Sequence, residues 1–180
     1  MEFDIALRSP AYLHLSESRT FPRVRLDQAL SLPEVATAQP FYVRLNQWQS
    51  PTTGVWRGIL MIGTNPHDPA FRLPEVRRQA HQLVEPQFLL IDRMSRSDFG
   101  PADGQRFGDA DQGVWTNLGQ QPVQIVGHFE LGTGLAANGA VILSEAGFAR
   151  VAPNQTTDQV NLGLIRVAPG VTVDAAVRAL

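Results

Sequence analysis

The sequence predicts an α+β domain in which both chain ends build one ferredoxin-like βαβ layer and the middle of the chain forms an inserted lobe of mixed strands and short helices. Three observations lead there. Strand and helix signals come in mixed order, which argues against a strictly alternating, doubly wound sheet. "LDQALSLPEVATAQPFYVRL" reads as helix then strand and "LGLIRVAPGVTVDAAVRAL" as strand then helix, a weak echo that would let the two ends pair in one layer. Between them, short apolar runs bracket turns marked by glycine and proline.

Phe3 to Leu7 reads as a short strand, and Asp27 to Leu32 as a short helix ended by Pro33. A long strand follows, with Phe41, Val43 and Leu45 on one face and Tyr42, Arg44 and Asn46 on the other. The turn "WQSPTTGVW" leads into Arg57 to Ile62, whose unbroken apolar run predicts a strand covered on both faces and a hairpin with its predecessor. "GTNPHDPAFRLP" is loop. Pro74 opens a helix that runs to Leu83, and Phe88 to Asp92 is a buried strand. Val114 to Leu118 and Val123 to Leu131 bracket "GQQP" as a second hairpin. In its second strand Val123, Ile125, Phe129 and Leu131 share a face with Gly127, while His128 and Glu130 share the other with Gln124 and Val126. Ala140 to Leu143 is a strand, and Ser144 caps a helix through Phe148. Val160 to Val167 is the last strand, followed by a helix capped by Thr172 or Asp174.

The 180 residues fit one domain, or one domain with a sizeable inserted lobe. A net charge of -2 leaves no basic footprint for nucleic acid. All fifteen basic residues are arginine, which excludes a P-loop lysine, Schiff-base chemistry and a lysine general base. The absence of cysteine leans toward an exported or periplasmic setting. No uninterrupted apolar run approaches a membrane span, and no signal-peptide pattern precedes the first strand. "EFDIAL" enters a strand with almost no lead-in, and "TVDAAVRAL" stops inside a helix with no C-cap glycine, so the ends read as those of a piece cut from a longer protein.

The chemistry-bearing patterns fail one by one. Gly134 and Gly139 have Walker-loop spacing, but Ala140 stands where the lysine belongs and a strand follows in place of a helix, so the loop reads as a connection between strands. His14, His67, His81 and His128 are scattered, without metal-ligand spacing. "DADQG" begins like a calcium loop, but Val114 and Gln120 occupy the glycine and glutamate positions, leaving a solvated acidic loop. No cofactor and no metal are expected, and no catalytic set. His128 beside Glu130 is the one pair that a small hydrolase could use.

Partner contacts have more to recommend them. Trp48 and Trp56 flank the first hairpin turn, either as a cross-strand staple or as an anchor for a partner protein. Arg19, Arg23 and Arg25 form a solvated face, or lie near anionic headgroups. The glycine-rich connections at Gly100 to Gly108 and Gly132 to Gly139 serve as hinges or as plain turns.

"RGILMIGTNPHDPAFRLPEV" resembles the DevC-type permease subunit of cyanobacterial ABC exporters, whose relatives include the MacB and FtsX group. "FPRVRLDQAL", "LLIDRMSRSDFGP", "GHFELGTGLAANGAVILSEAGFARVAP" and "GLIRVAPGVTVDAAVRAL" resemble further segments of that family in the same order, with Leu135 and Asn138 as departures. The resemblance implies a periplasmic domain between two membrane helices. Residues 1–64 and 157–180 would form its porter-like layer, and residues 65–156 the inserted, Sabre-like lobe. It implies a dimeric permease at the periplasmic face of the inner membrane that pairs with a separate cytoplasmic ATPase. The periplasmic adaptor and an outer-membrane channel complete the assembly, and the cargo is glycolipid or other envelope material. It implies no enzymatic activity for the domain itself. The alternative reading is a free-standing periplasmic binding or adaptor module.

Overall fold

A computed structural model describes residues 3–12, 14, 19–132, 138–152 and 154–180. Ten strands and four α-helices follow one another along these residues: β1 (Ile5–Arg8), β2 (Phe21–Pro22), α1 (Val24–Leu30), β3 (Val35–Gln49), β4 (Trp56–Thr64), α2 (Pro74–Gln79), β5 (Phe88–Asp92), β6 (Trp115–Leu118), β7 (Gln121–Phe129), β8 (Ala140–Ser144), α3 (Glu145–Val151), β9 (Gln159–Val160), β10 (Leu162–Val167) and α4 (Val173–Ala179). Eight strands form one mixed sheet in the order β1-β10-β3-β4-β8-β5-β7-β6, and β2 pairs with β9 alone.

β3 organises the sheet. Its first half, from Val35 to Phe41, pairs antiparallel with β10; its second half, from Tyr42 to Gln49, pairs antiparallel with β4. β10 also pairs antiparallel with β1, so β1 and β3 run parallel with β10 between them and α1 as their crossover, a split βαβ arrangement. At its other end the sheet turns back on itself, because Leu118 of β6 pairs with Trp48 of β3. The six strands from β3 through β4, β8, β5 and β7 to β6 therefore close, and side chains fill the interior. Trp48, Met61, Leu89, Ile125, Val141 and Leu143 belong to that inner core. A second core lies on the opposite face, where Phe71, Val76 and Leu83 cover Ile62, Leu90 and Ile142.

The local rules explain the elements. Pro74 starts α2, which tightens into a 3-10 turn over Ala80–Val84. Ser144 caps α3 by accepting from Gly147 N at 3.1 Å, and Thr172 caps α4 by accepting from Ala175 N at 3.3 Å. α3 lies against β4 at Gly63, where a Cβ would sit 2.7 Å from Phe148 Cβ. Both predicted hairpins form, and β4 is buried at Ile59, Met61 and Ile62 from either face.

One face assignment is wrong. The register between β5 and β7 slips after Leu89, which pairs with Ile125 while Leu90 pairs with Gly127. The extra residue, Val126, makes a β-bulge, and a one-residue slip exchanges the two faces of a strand. Val123 and Ile125 consequently enter the inner core, and Phe129 enters the outer one.

The ends of the chain meet one edge of the sheet. Asp4 N donates to Ile165 O at 2.8 Å, and the Asp4 carboxylate accepts from Val167 N at 2.9 Å. Ala179 and Leu180 line a groove of about 460 Å³ with Leu7, Pro10 and Ala29. Asp4 leads into β1, and the groove opens at the other end of the same strand, from Leu7 to Pro10.

Candidate docking surface

Trp48 and Trp56 occupy opposite sides of the first hairpin. Trp48 stands opposite Arg57 and Trp56 opposite Gln49, so neighbouring positions in the ladder send the two rings to different faces. They form no cross-strand staple. Trp48 is 0% exposed, its Nε1 donates to Phe99 O at 2.9 Å, and its ring meets Phe107 edge-on at 6.3 Å. In the folded chain it is out of a partner's reach. Trp56 is 46% exposed and remains available.

Trp56 borders a groove of about 650 Å³ built from three separated segments: Asn46 and Gln47 of β3, the β6–β7 turn from Gly119 to Gln121, and Arg150 at the end of α3. Gly58, beside Trp56 on β4, has open space where its Cβ would be. The turn is held to β3 by Gly119 N donating to Gln47 O at 2.6 Å, and α3 by Asn46 Nδ2 donating to Val151 O at 2.8 Å. Arg150 is the one charged residue among those lining the groove, and its Nη1 donates to Pro122 O at 2.9 Å. An exposed tryptophan beside an arginine and planar amides is the composition that concentrates binding energy in protein interfaces. The sequence pointed to Trp56 but not to its companions. Gln47, Gln120 and Arg150 come together only because the sheet closes through β6.

The three arginines do not form one face. Arg19 and Arg25 are exposed, and Arg25 Nη1 donates to Gln28 Oε1 at 3.0 Å. Arg23 is not part of the solvated face predicted for it. Its Nη1 lies 2.7 Å from Glu145 Oε2 and donates to the Tyr42 hydroxyl at 3.2 Å. The Tyr42 hydroxyl in turn donates to Thr157 O at 2.8 Å. Burial, reinforced by the Glu145 charge, pushes the Tyr42 phenol up to about 12.

The candidate acid–base pair is not brought together. β7 ends at Phe129, so Glu130 leaves the strand and approaches Arg93 at 3.8 Å. His128 Nε2 instead meets Asp109 Oδ1 at 3.0 Å on the surface. The acidic loop also differs from its prediction. Asp109 is exposed, but Asp111 is buried and accepts from Ala102 N at 2.7 Å and Gly108 N at 2.8 Å, tying the loop shut. Asp92 does the same at the end of β5, accepting from Met94 N, Leu131 N and Gly132 N at 3.0 to 3.1 Å. Its burial raises the carboxyl above its usual range, against the three amides. Both carboxylates serve the backbone of loops. Of the glycine loop after β7, Gly132 and Gly139 join two strands as predicted, while Gly134 and Leu135 lie outside the described residues.

A large mixed α+β sheet of this kind is the fold, at a coarse level, of extracytoplasmic domains from ABC-type permeases. The periplasmic region of MacB from Actinobacillus actinomycetemcomitans matches with a TM-score of 0.60 and 6% identity, over 91% of this chain and 72% of that one. The extracellular domain of the noncanonic ABC-type transporter YknZ from Gram-positive bacteria matches with a TM-score of 0.60 and 11% identity, over 94% and 84%. A permease-protein domain from Porphyromonas gingivalis matches with a TM-score of 0.56 and 16% identity, over 91% and 75%. At such identities the likeness is one of fold. No protein-family model and no curated protein sequence matches the chain.

Proposed function

We propose that the chain is the periplasmic domain of an ABC exporter permease of the MacB and FtsX kind, DevC-type by its sequence motifs. The observation that carries the reading is the position of its ends. Asp4 leads into the edge strand β1, and residues 179–180 line a groove with Leu7 and Pro10 at the other end of that strand, a placement that suits a domain held by two neighbouring membrane helices. The likeness in fold to permease domains supports the same conclusion.

In this reading the domain is mechanical and carries out no chemistry of its own. Residues 1–64 and 157–180, which include the split βαβ arrangement of β1, α1 and β3, are proposed as the porter-like base, and residues 65–156 as the inserted lobe. A cytoplasmic ATPase moves the flanking helices of a dimeric permease, and the motion enters through β1 and α4. β3 carries it outward, since a strand of 15 residues spans about 50 Å. The groove at Trp56, with Arg150 beside it, receives the periplasmic adaptor that leads to an outer-membrane channel, and the cargo is glycolipid or other envelope material. Arg19 and Arg25 are proposed as further outward contacts.

A photo-crosslinking residue in place of Trp56, in the permease that carries this domain, should trap the adaptor, and the same probe in place of Trp48 should not. Trapping of cytoplasmic proteins alone would overturn the reading. The groove of about 650 Å³ is what a free-standing binding module would use, and saturable small-molecule binding blocked by Trp56→Ala would favour that alternative.

A further inference from the structure

The sheet has a joint. Phe41 is the last residue of β3 opposite β10, and Tyr42 is the first opposite β4. One strand therefore belongs to two differently supported halves, and the changeover falls between these two residues.

Side chains from three segments and a backbone carbonyl from a fourth converge on that point. Arg23, from the turn before α1, reaches Glu145, the first residue of α3, at 2.7 Å. The Tyr42 hydroxyl lies between them and the Thr157 carbonyl, and its ring meets Phe148 of α3 at 5.5 Å. α1 covers the half that carries the chain ends through Ala29, which packs with Val35 and Ile165, while its Leu26 reaches the core that holds Phe148; α3 covers β4 and β8 in the closed half. The Arg23–Glu145 pair is thus a contact across the joint between the two covering helices.

We propose that Arg23, Tyr42 and Glu145 form a releasable latch on this joint, so that the layer of β1, β10, α1 and α4 turns against the closed six-strand half when Arg23 leaves Glu145. The degree of burial suits release. The two side chains are 38% and 18% exposed. A fully buried pair would lock the joint, because separation would strand two charges in a dry interior. A fully exposed pair would hold almost nothing. Arg23 N also donates to Asp158 O at 2.8 Å, so the residue that carries the guanidinium is anchored by its backbone while its side chain is free to leave Glu145. A polar side chain, that of Asn161, also sits in the joint. It is fully buried beside the joint, and its Oδ1 accepts from Val43 N at 2.9 Å and Gln155 Nε2 at 3.0 Å. Its Nδ2 meets no acceptor among the described residues.

The latch is a property of the chain itself, so its failure leaves the permease reading standing. The chain has no cysteine, which allows spin labels at Gln28→Cys on α1 and Ala110→Cys in the closed half. Wild type should give one narrow distance distribution. Arg23→Gln and Glu145→Gln should each add a second population. They should also speed amide exchange in α1 by about five-fold, the factor expected from losing a half-desolvated pair. The reversed pair Arg23→Glu with Glu145→Arg should restore the single population. Unchanged distances in both single variants, or a reversed pair that behaves like them, would sink the proposal. A variant that no longer melts cooperatively is replaced by Glu145→Asp, which keeps the charge at the start of α3 but draws it back from Arg23 and must show the same second population.

Discussion

Replacing each of the two hairpin tryptophans by phenylalanine makes the same chemical change at two positions with opposite surroundings. At Trp48 the change removes the Nε1 donor and leaves the buried Phe99 carbonyl without it, a loss of about 1–3 kcal/mol. The smaller ring vacates a few tens of Å³ in the closed interior, adding about 1 kcal/mol at roughly 24 cal/mol per Å³. Trp48→Phe should therefore cost about 2–4 kcal/mol. At Trp56 the ring is half exposed and no hydrogen bond of its Nε1 is at stake in the core, so Trp56→Phe should stay within about 0.5 kcal/mol of wild type. Urea unfolding followed by far-UV circular dichroism separates the two. With a slope of about 2 kcal/mol per molar, the Trp48 variant should lose about 1–2 M in midpoint and the Trp56 variant almost nothing. Equal losses, or a larger loss at Trp56, would refute the closure of the sheet around Trp48.

Gly63→Ala should destabilise by about 1–3 kcal/mol, because its Cβ would press on Phe148, and a lowered melting temperature reads this directly. Asp111→Ala should free the amides of Ala102 and Gly108, lower stability by about 2 kcal/mol and speed proteolytic nicking between Pro101 and Gly113. Asp92 has a raised folded-state pKa, so its contribution is complete below the ordinary carboxylate range and is lost as pH rises through the raised value. The stability of wild type relative to Asp92→Asn should accordingly grow as pH falls from about 7 to about 4, as thermal melts in a buffer series would show; a difference that shrinks contradicts the burial argument.

Much of this was legible because it is local. The run from Arg57 to Ile62, the proline at position 74 and the serine at 144 each carry their structural consequence within a few residues, and each element formed where its pattern placed it. Most of what was not legible depends on residues far apart in the chain. The bulge at Val126 answers to the register of β5, about 35 positions earlier, so alternation alone put Phe129 on the wrong face. The groove at Trp56 needs the β6–β7 turn and the end of α3, and no local pattern announces that closure. Arg23 reads as a surface cation until Glu145, at a sequence separation of 122, arrives to pair with it. Asp111 reads as solvated because its acceptor role is set by the fold of its own loop.

The pairing of β1 with β10 has a consequence for synthesis. Ile5 leaves the ribosome long before Ile165, its partner, about 160 residues later. At roughly 5–20 residues per second the first strand waits on the order of 8–30 s with both its edges open. Its shortness, with Ala6 and Arg8 turned to water, limits what it can wrongly recruit in that interval. The chain can only finish folding once its last strand is made, and until then its earliest strand must be kept from strangers.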